Sequence, residues 1–232
     1  MATIIPTAMT TDQSLLHLMR LVSPALPVGA YVYSQGLESA VEKSWVNDIA
    51  SAEHWLSGTL SNAVARLDAP VFLRLCLSWQ QDNIAAVNHW NQFLQAARET
   101  SELLLEDTQM GTALSRLLID LGIEQASDVS LEQPLSFATA FALAAHYWNI
   151  SDALALQGLL WSWLENQVAA AIKLIPLGQT QGQHLLVKLT PAIQNAISVA
   201  QSLEDDNLGW SLPRLTMASI HHETQYSRLF RS

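Results

Sequence analysis

The chain has 232 residues, of which 50% are hydrophobic and 14% charged, and its formal net charge is −10. This composition excludes a disordered chain, and the acidic balance argues against nonspecific binding to nucleic acids or to anionic membranes. The single cysteine, Cys76, excludes an intramolecular disulfide and a zinc site built from several cysteines. The first residues show neither a basic region nor a long apolar run, so no signal peptide is expected, and the cytoplasm is the expected location.

Apolar residues recur with a helical period along most of the chain, and no segment alternates as a strand would. A first helix is expected after Thr11 and Asp12, which can cap it, and a last helix from about Thr216. The intervening helices are predicted at about 34–45, 49–64, 68–76, 83–98, 101–121, 137–148, 151–175 and 180–203. The last of these is expected to break or kink at Thr190–Pro191. The sequence therefore predicts an all-α fold: a single-domain multi-helix bundle over residues 1–232, with about ten helices and a flexible segment at 1–11.

Three consecutive residues near the C-terminal end, His221, His222 and Glu223, are of types that bind metals. Neighbouring residues of a helix point about 100° apart, so the two histidines cannot easily hold one ion together. The HExxH spacing, which places two imidazoles on one helix face, is absent. We retain the three residues as candidate metal ligands, and a site shared with a second copy or a partner stays open.

Sequence motifs for nucleotide binding and nucleophilic catalysis are absent. The glycine-containing segments fit neither the P-loop pattern nor a dinucleotide fingerprint that follows a strand, and no GxSxG elbow occurs. Glu102, Glu106 and Asp107 cluster on one predicted helix, and a solvated acidic face is the preferred interpretation. Lys173 lies one turn before Pro176, where it can either interact with the helix dipole or contact a partner.

The end of the chain has an unusual composition. From Arg214 onwards it contains three arginines and one glutamate, a balance of 3 − 1 = +2 in a chain of net charge −10. Arg228 and Arg231 flank Leu229 and Phe230, an apolar pair too small to form a core of its own. An apolar anchor between arginines is typical of a docking segment. The alternative is a terminus that folds back on its own domain, and composition alone does not choose between the two.

Four blocks of the sequence resemble the UreF family of urease accessory proteins. They are LVSPALPVGAYVYSQGLESAVE (21–42), ARETSELLLEDTQMGTAL (97–114), LLWSWLENQVAAAIKLIPLGQTQGQ (159–183) and ASIHHETQYSRLFRS (218–232). Their order along the chain makes the resemblance specific, and it covers almost the full length.

The resemblance implies an all-helical, homodimeric protein that is not an enzyme. Members of the family join the UreD (UreH) scaffold and the GTPase UreG, and the assembly delivers nickel to apo-urease when GTP is hydrolysed. No stably bound cofactor is implied, because nickel is handled transiently by the complex. The tail, residues 226–232, is implied to dock on the scaffold, and a second segment is implied to meet the GTPase. The tail residues are Tyr226, Ser227, Arg228, Leu229, Phe230 and Arg231, and the second set is Lys173, Pro176, Leu177, Gly178 and Gln179.

The chain departs from the family pattern at His221, Leu104 and Thr108, where arginine is common, so contacts made by those arginines are in doubt here. Removal of residues 227–232 is expected to abolish scaffold binding and to leave the helices intact. The alternative to this function is a helical metal-dependent hydrolase that takes histidine and carboxylate ligands from separate helices. A helical adaptor unrelated to urease is a further alternative.

Overall fold

A computed structural model describes residues 9–128 and 130–232, with side chains from Gln13 onwards. Within this part of the chain every regular element is helical and ten elements are α-helices, which confirms the predicted all-α fold. The helices are α1 (Met9–Leu21), α2 (Leu37–Glu42), α3 (Ile49–Thr59), α4 (Asp68–Gln80), α5 (Ile84–Ala96), α6 (Ser101–Asp120), α7 (Phe137–Tyr147), α8 (Asp152–Leu174), α9 (Gln179–Ser202) and α10 (Pro213–Glu223). A π-helix, Leu60–Val64, continues α3, and short 3₁₀ helices occur at Ala30–Val32, Glu124–Ser127 and Asp205–Asn207. None of the described helices combines the length and the hydrophobicity that a bilayer crossing requires.

Most helix ends follow local sequence chemistry. The side chains of Asp48 and Asn83 accept bonds from the backbone at the starts of α3 and α5, and Gly122 takes the left-handed conformation after α6. Ser151 stands at the N-cap of α8, but its side chain makes no capping bond. Of the predicted flexible segment 1–11, residues 9–11 belong to α1 and residues 1–8 lie outside the described residues.

Of the break or kink expected at Thr190–Pro191, the break is wrong, because α9 runs through Pro191 to Ser202. A proline at this position removes one backbone donor, and the carbonyl left without its helical partner belongs to Val187, four residues earlier. Val187 is 73% exposed, so water can hydrate that carbonyl. A proline on the solvent side of a helix is therefore tolerated where a buried one would not be.

The core is built around α7, an alanine-rich helix in which every residue from 138 to 145 is buried. Small side chains let its neighbours approach closely, and α4 and α6 pack on it most extensively. Phe141 of α7 packs edge to face on Phe72 of α4, with ring centroids 5.9 Å apart. On α6, Gly111 leaves room for the chain to cross at Leu135 and Ser136, just before α7 begins.

The interpretation of a solvated acidic face on α6 is wrong, since Glu106 and Asp107 are buried. Asp107 accepts the backbone N–H of Phe137 at 2.8 Å and so caps α7. Arg98 is half-buried and bridges Asp107 and Asp68, with N–O distances of 2.9 and 2.6 Å. Glu106 and Asp107 therefore face inwards, where each has specific donors.

Candidate docking surface and the chamber beside it

The tail lies against its own subunit through its backbone. A single carboxylate, that of Glu38 on α2, accepts the N–H groups of Leu229 and Phe230 at 2.7 and 2.8 Å. The N–H of Arg231 donates to the carbonyl of Val32 at 2.8 Å. Ser34 donates its N–H and its hydroxyl to the carbonyl of Ser232, at 3.0 and 2.6 Å. Of the two alternatives for this segment, the fold-back is the arrangement in the structure.

Buried charges connect the tail to α10. His222 is completely buried, and its two ring nitrogens lie 3.2 Å from Glu38 and 2.7 Å from Glu102. Each ring nitrogen of His222 therefore has a carboxylate as its hydrogen-bond partner. Glu102 also accepts from Arg228 of the tail at 2.8 Å. The four side chains form a connected polar network that spans α2, α10, α6 and the tail.

The three candidate metal ligands do not converge. His221 is exposed, while the ring of His222 faces the two carboxylates just described. Glu223 accepts the hydroxyl of Ser101 at 2.6 Å. Within residues 9–128 and 130–232, no group of three or more His, Cys, Asp or Glu residues is placed to hold a metal ion. The oxygens of Glu38 and Glu102 are instead occupied by tail backbone, arginine and imidazole.

The tail buries some side chains and presents others. Phe230 is 5% exposed, whereas Leu229 is 65% exposed and Tyr226 is fully exposed. Arg228 and Arg231 also face solvent, and the exposed Leu105 of α6 lines the same groove as Leu229. We call this group of exposed side chains the tail surface: Tyr226, Arg228, Leu229, Arg231 and Leu105. Ser227 is exposed too, and its carbonyl accepts from Gln225.

The second predicted segment is contiguous with the tail. Lys173, in the last turn of α8, places its ammonium 5.4 Å from the centre of the Phe230 ring, within range of a cation–π interaction. Pro176, Gly178 and Gln179 follow on the surface between α8 and α9, and Leu177 is half-buried. The structure thus brings the two predicted sets together around one buried aromatic ring.

A cavity of about 300 Å³, here called the chamber, lies between α6, α7 and α8 and the loops before α2 and α10. Its wall is mainly apolar, and Gln35, Glu106 and Trp163 are among the polar groups that line it. Burial raises the pKa of Glu106 to about 7, although hydrogen bonds from Ser232 and Gln35 act in the opposite direction. Glu106 therefore belongs both to the chamber wall and to the group of residues that bind the tail. We call this group the seat of the tail: Ser34, Glu38, Glu102 and Glu106.

Sequence reasoning did not identify the residues that receive the tail, which are Ser34, Glu38, Glu102 and Glu106. No clear signal for Glu38 exists in the sequence, because its burial between Leu37 and Ser39 in α2 is visible only in the structure. A buried carboxylate must find hydrogen-bond donors. The sequence does not show that the donors for Glu38 are backbone N–H groups of the distant tail.

The chain also resembles known proteins over its whole length. A sequence model of the UreF family matches residues 46–190. The urease accessory protein UreF of Teredinibacter turnerae is 52% identical over 95% of this chain and 100% of the relative. The proteins of the same name from Chromohalobacter salexigens and Marinobacter nauticus are 47% and 46% identical, and the alignments cover 98% and 100% of each chain. Identity at this level over this length is decisive: the chain belongs to the UreF family.

Proposed function

We propose that this chain is a urease maturation factor that joins the UreD (UreH) scaffold to the GTPase UreG, so that GTP hydrolysis is coupled to delivery of nickel to apo-urease. The chain itself performs no chemical step in this proposal, and nickel is the cargo of the complex. Membership of the UreF family supports the role in urease maturation. A homodimer is part of the same proposal.

One observation about this structure carries the docking role of the tail. Leu229 and Tyr226 are apolar or aromatic side chains that the fold leaves in solvent while it holds the neighbouring backbone firmly. Exposed anchors on a fixed backbone lose little conformational entropy on binding, which favours a tight and specific contact. The flanking arginines can each form bidentate bonds with a carboxylate of the scaffold.

The contact between Lys173 and Phe230 supports the bridging role. Because the tail and the segment 173–179 share one ring, a scaffold bound to the tail lies beside the surface proposed for the GTPase. Coupling to GTP hydrolysis further requires that the chain bind one nucleotide state of the GTPase more tightly than the other.

The docking role is tested by substituting the exposed side chains instead of deleting the segment. Deletion of residues 227–232 would uncover the buried carboxylates of Glu38 and Glu106. A loss of scaffold binding by that variant could then come either from the missing contact or from a less stable fold. Leu229→Ala is expected to weaken capture of the scaffold in a pull-down at least about tenfold, as a buried apolar anchor would. Val187→Ala is the matched control, since Val187 is 73% exposed on α9, away from the tail. Equal capture by the two variants would contradict the docking role.

The proposed GTPase contact has its own pair of variants. Lys173→Ala is expected to reduce binding of the GTPase to the preformed complex with the scaffold. Lys188→Ala, which removes an exposed lysine paired with Glu53, is expected to leave binding unchanged.

The maturation role is tested in a strain that lacks the gene. Urease activity is expected to disappear while the apo-enzyme is still made, and excess nickel is expected to restore part of it. Normal activity in that strain would refute the proposal and would favour an adaptor unrelated to urease.

A further inference from the structure

In the segment from Tyr33 to Gly36, Ser34 contacts the tail and the next residue, Gln35, contacts the chamber wall. Ser34 binds the carbonyl of Ser232, as described above. Gln35 points the other way: its amide nitrogen donates to Glu106 at 2.7 Å, and its amide oxygen accepts the indole N–H of Trp163 at 2.8 Å. Adjacent residues of one short segment therefore contact the two features.

The carboxylate of Glu106 connects the tail to Gln35. Glu106 accepts the hydroxyl of Ser232 on one oxygen, at 2.6 Å, and the amide of Gln35 on the other. A continuous path of hydrogen bonds thus runs from Ser232 through Glu106 and Gln35 to Trp163 in the chamber wall. Ser232 and Glu106 are buried, so water does not compete easily for these bonds.

The segment is held in a conformation that it would not keep by itself. Gln35 has φ +52°, in the left-handed region that a residue with a side chain adopts only at some cost. Gly36 follows with φ +75° and passes so close to Ala218 and Ser219 of α10 that a side chain would not fit without movement. The bonds made by Ser34 and Gln35 therefore help to hold the segment in place, together with the bond that Asn166 donates to the carbonyl of Tyr33 at 3.1 Å.

We infer that the tail acts as a latch on the chamber: when Ser232 is seated, Gln35 and Trp163 are fixed in the chamber wall, and when the tail is withdrawn this part of the wall loosens and the chamber opens further. The inference adds to the proposed function, on which it rests only for the identity of the partner that would withdraw the tail. A scaffold that engages the tail would then alter a cavity inside the accessory protein.

Thiol labelling of the isolated protein tests the latch. Ala138, which is buried and lines the chamber, is changed to cysteine and its alkylation by iodoacetamide is timed. The native Cys76 gives a slow background, because it is buried and burial raises the pKa of its thiol. The second reporter is the native Cys76 itself: it is buried in α4 and does not line the chamber, so its alkylation in the chain without the change at position 138 monitors the rest of the fold.

Ser232→Ala removes one hydrogen bond to a buried carboxylate and leaves the tail backbone unchanged. Loss of a bond of this kind shifts an opening equilibrium by about 10- to 100-fold, and the alkylation rate at position 138 should rise by a similar factor. Glu106→Gln should act in the same direction, and Ser227→Ala, in the exposed part of the tail, should have no effect.

Unchanged alkylation at position 138 in Ser232→Ala and Glu106→Gln would overturn the latch. An equal acceleration at Cys76 would also overturn it, because the whole fold would then have loosened. Both outcomes concern the isolated chain, so they leave the docking role of Leu229 untouched. Conversely, normal scaffold capture by Leu229→Ala would refute docking without affecting the labelling result.

Discussion

The seat of the tail depends most directly on Glu38, and Glu38→Gln tests it with a small change of shape. The carboxylate accepts two consecutive backbone N–H groups, at 2.7 and 2.8 Å, and faces Nε2 of His222. A bond from a neutral donor to a charged acceptor contributes about 1.5–3 kcal/mol, so the pair contributes about 3–6 kcal/mol. Glutamine keeps one neutral acceptor but turns an NH₂ group towards a donor. We therefore expect a net loss of about 2–4 kcal/mol, which is about a 30- to 1000-fold shift towards the undocked tail.

Amide hydrogen exchange measures this shift at the residues concerned. In Glu38→Gln, the protection of the Leu229 and Phe230 amides is expected to fall by that factor, while protection within α7 and α8 should change much less. Glu223→Gln is the matched control, because Glu223 is an exposed glutamate at the end of α10 that binds Ser101 and not the tail. If exchange at Leu229 and Phe230 were the same in both variants, Glu38 would not hold the tail and the reasoning would fail.

Three further predictions concern the core, and unfolding in urea measures each of them. Gly111→Ala is expected to destabilise the fold by about 1–3 kcal/mol, because the new Cβ would collide with backbone, whereas Gly58→Ala, in an open helical position, should stabilise it by up to about 1 kcal/mol. Arg98→Ala leaves Asp107 buried without its cation and should cost about 3–5 kcal/mol, and a loss below 1 kcal/mol would contradict the role of the ion pairs. Glu106, with its pKa raised to about 7, keeps a proton in the folded state that the unfolded chain has lost above about pH 4.5. Stability from this group is therefore lost as the pH rises from about 4.5 to 7, by at most about 3 kcal/mol, and Glu106→Gln should flatten that part of the pH profile.

The helices could be predicted because their signals are local. Asp48, Asn83 and Thr100 each cap a helix that starts at the next residue, and Gly122 stops α6. Such signals act over three or four residues, so a single sequence contains all the information. The continuity of α9 through Pro191 was missed, because it depends on which side of the helix faces solvent.

The seat of the tail could not be predicted, because its parts lie far apart along the chain. Glu38 and the residues it binds are separated by 184 to 192 positions, and Ser34 and Ser232 by 198. Sequence pattern indicates that Glu106 shares a helix face with Glu102, but it does not reveal that Ser232 and Gln35 supply donors for Glu106. The composition of the tail did not decide between a docking segment and a fold-back on its own domain, and the contacts with Glu38 and Ser34 show the fold-back.

The docked tail has a consequence for how a scaffold can use it. If the scaffold binds the tail where it lies, the seat organises Tyr226 and Leu229, and Glu38→Gln should weaken binding because a loosened tail must be ordered again. If the scaffold withdraws the tail, binding must first break the bonds to Glu38, and the apparent dissociation constant equals the intrinsic one divided by the fraction of molecules whose tail is undocked. Glu38→Gln would then lower the apparent dissociation constant by up to about 30- to 1000-fold, or about 2–4 kcal/mol. This is the same factor by which it is expected to reduce the amide protection of the tail. The sign of this one change in affinity therefore distinguishes a preformed surface from a released segment, and only a released segment would also remove Ser232 from Glu106 and act on the chamber.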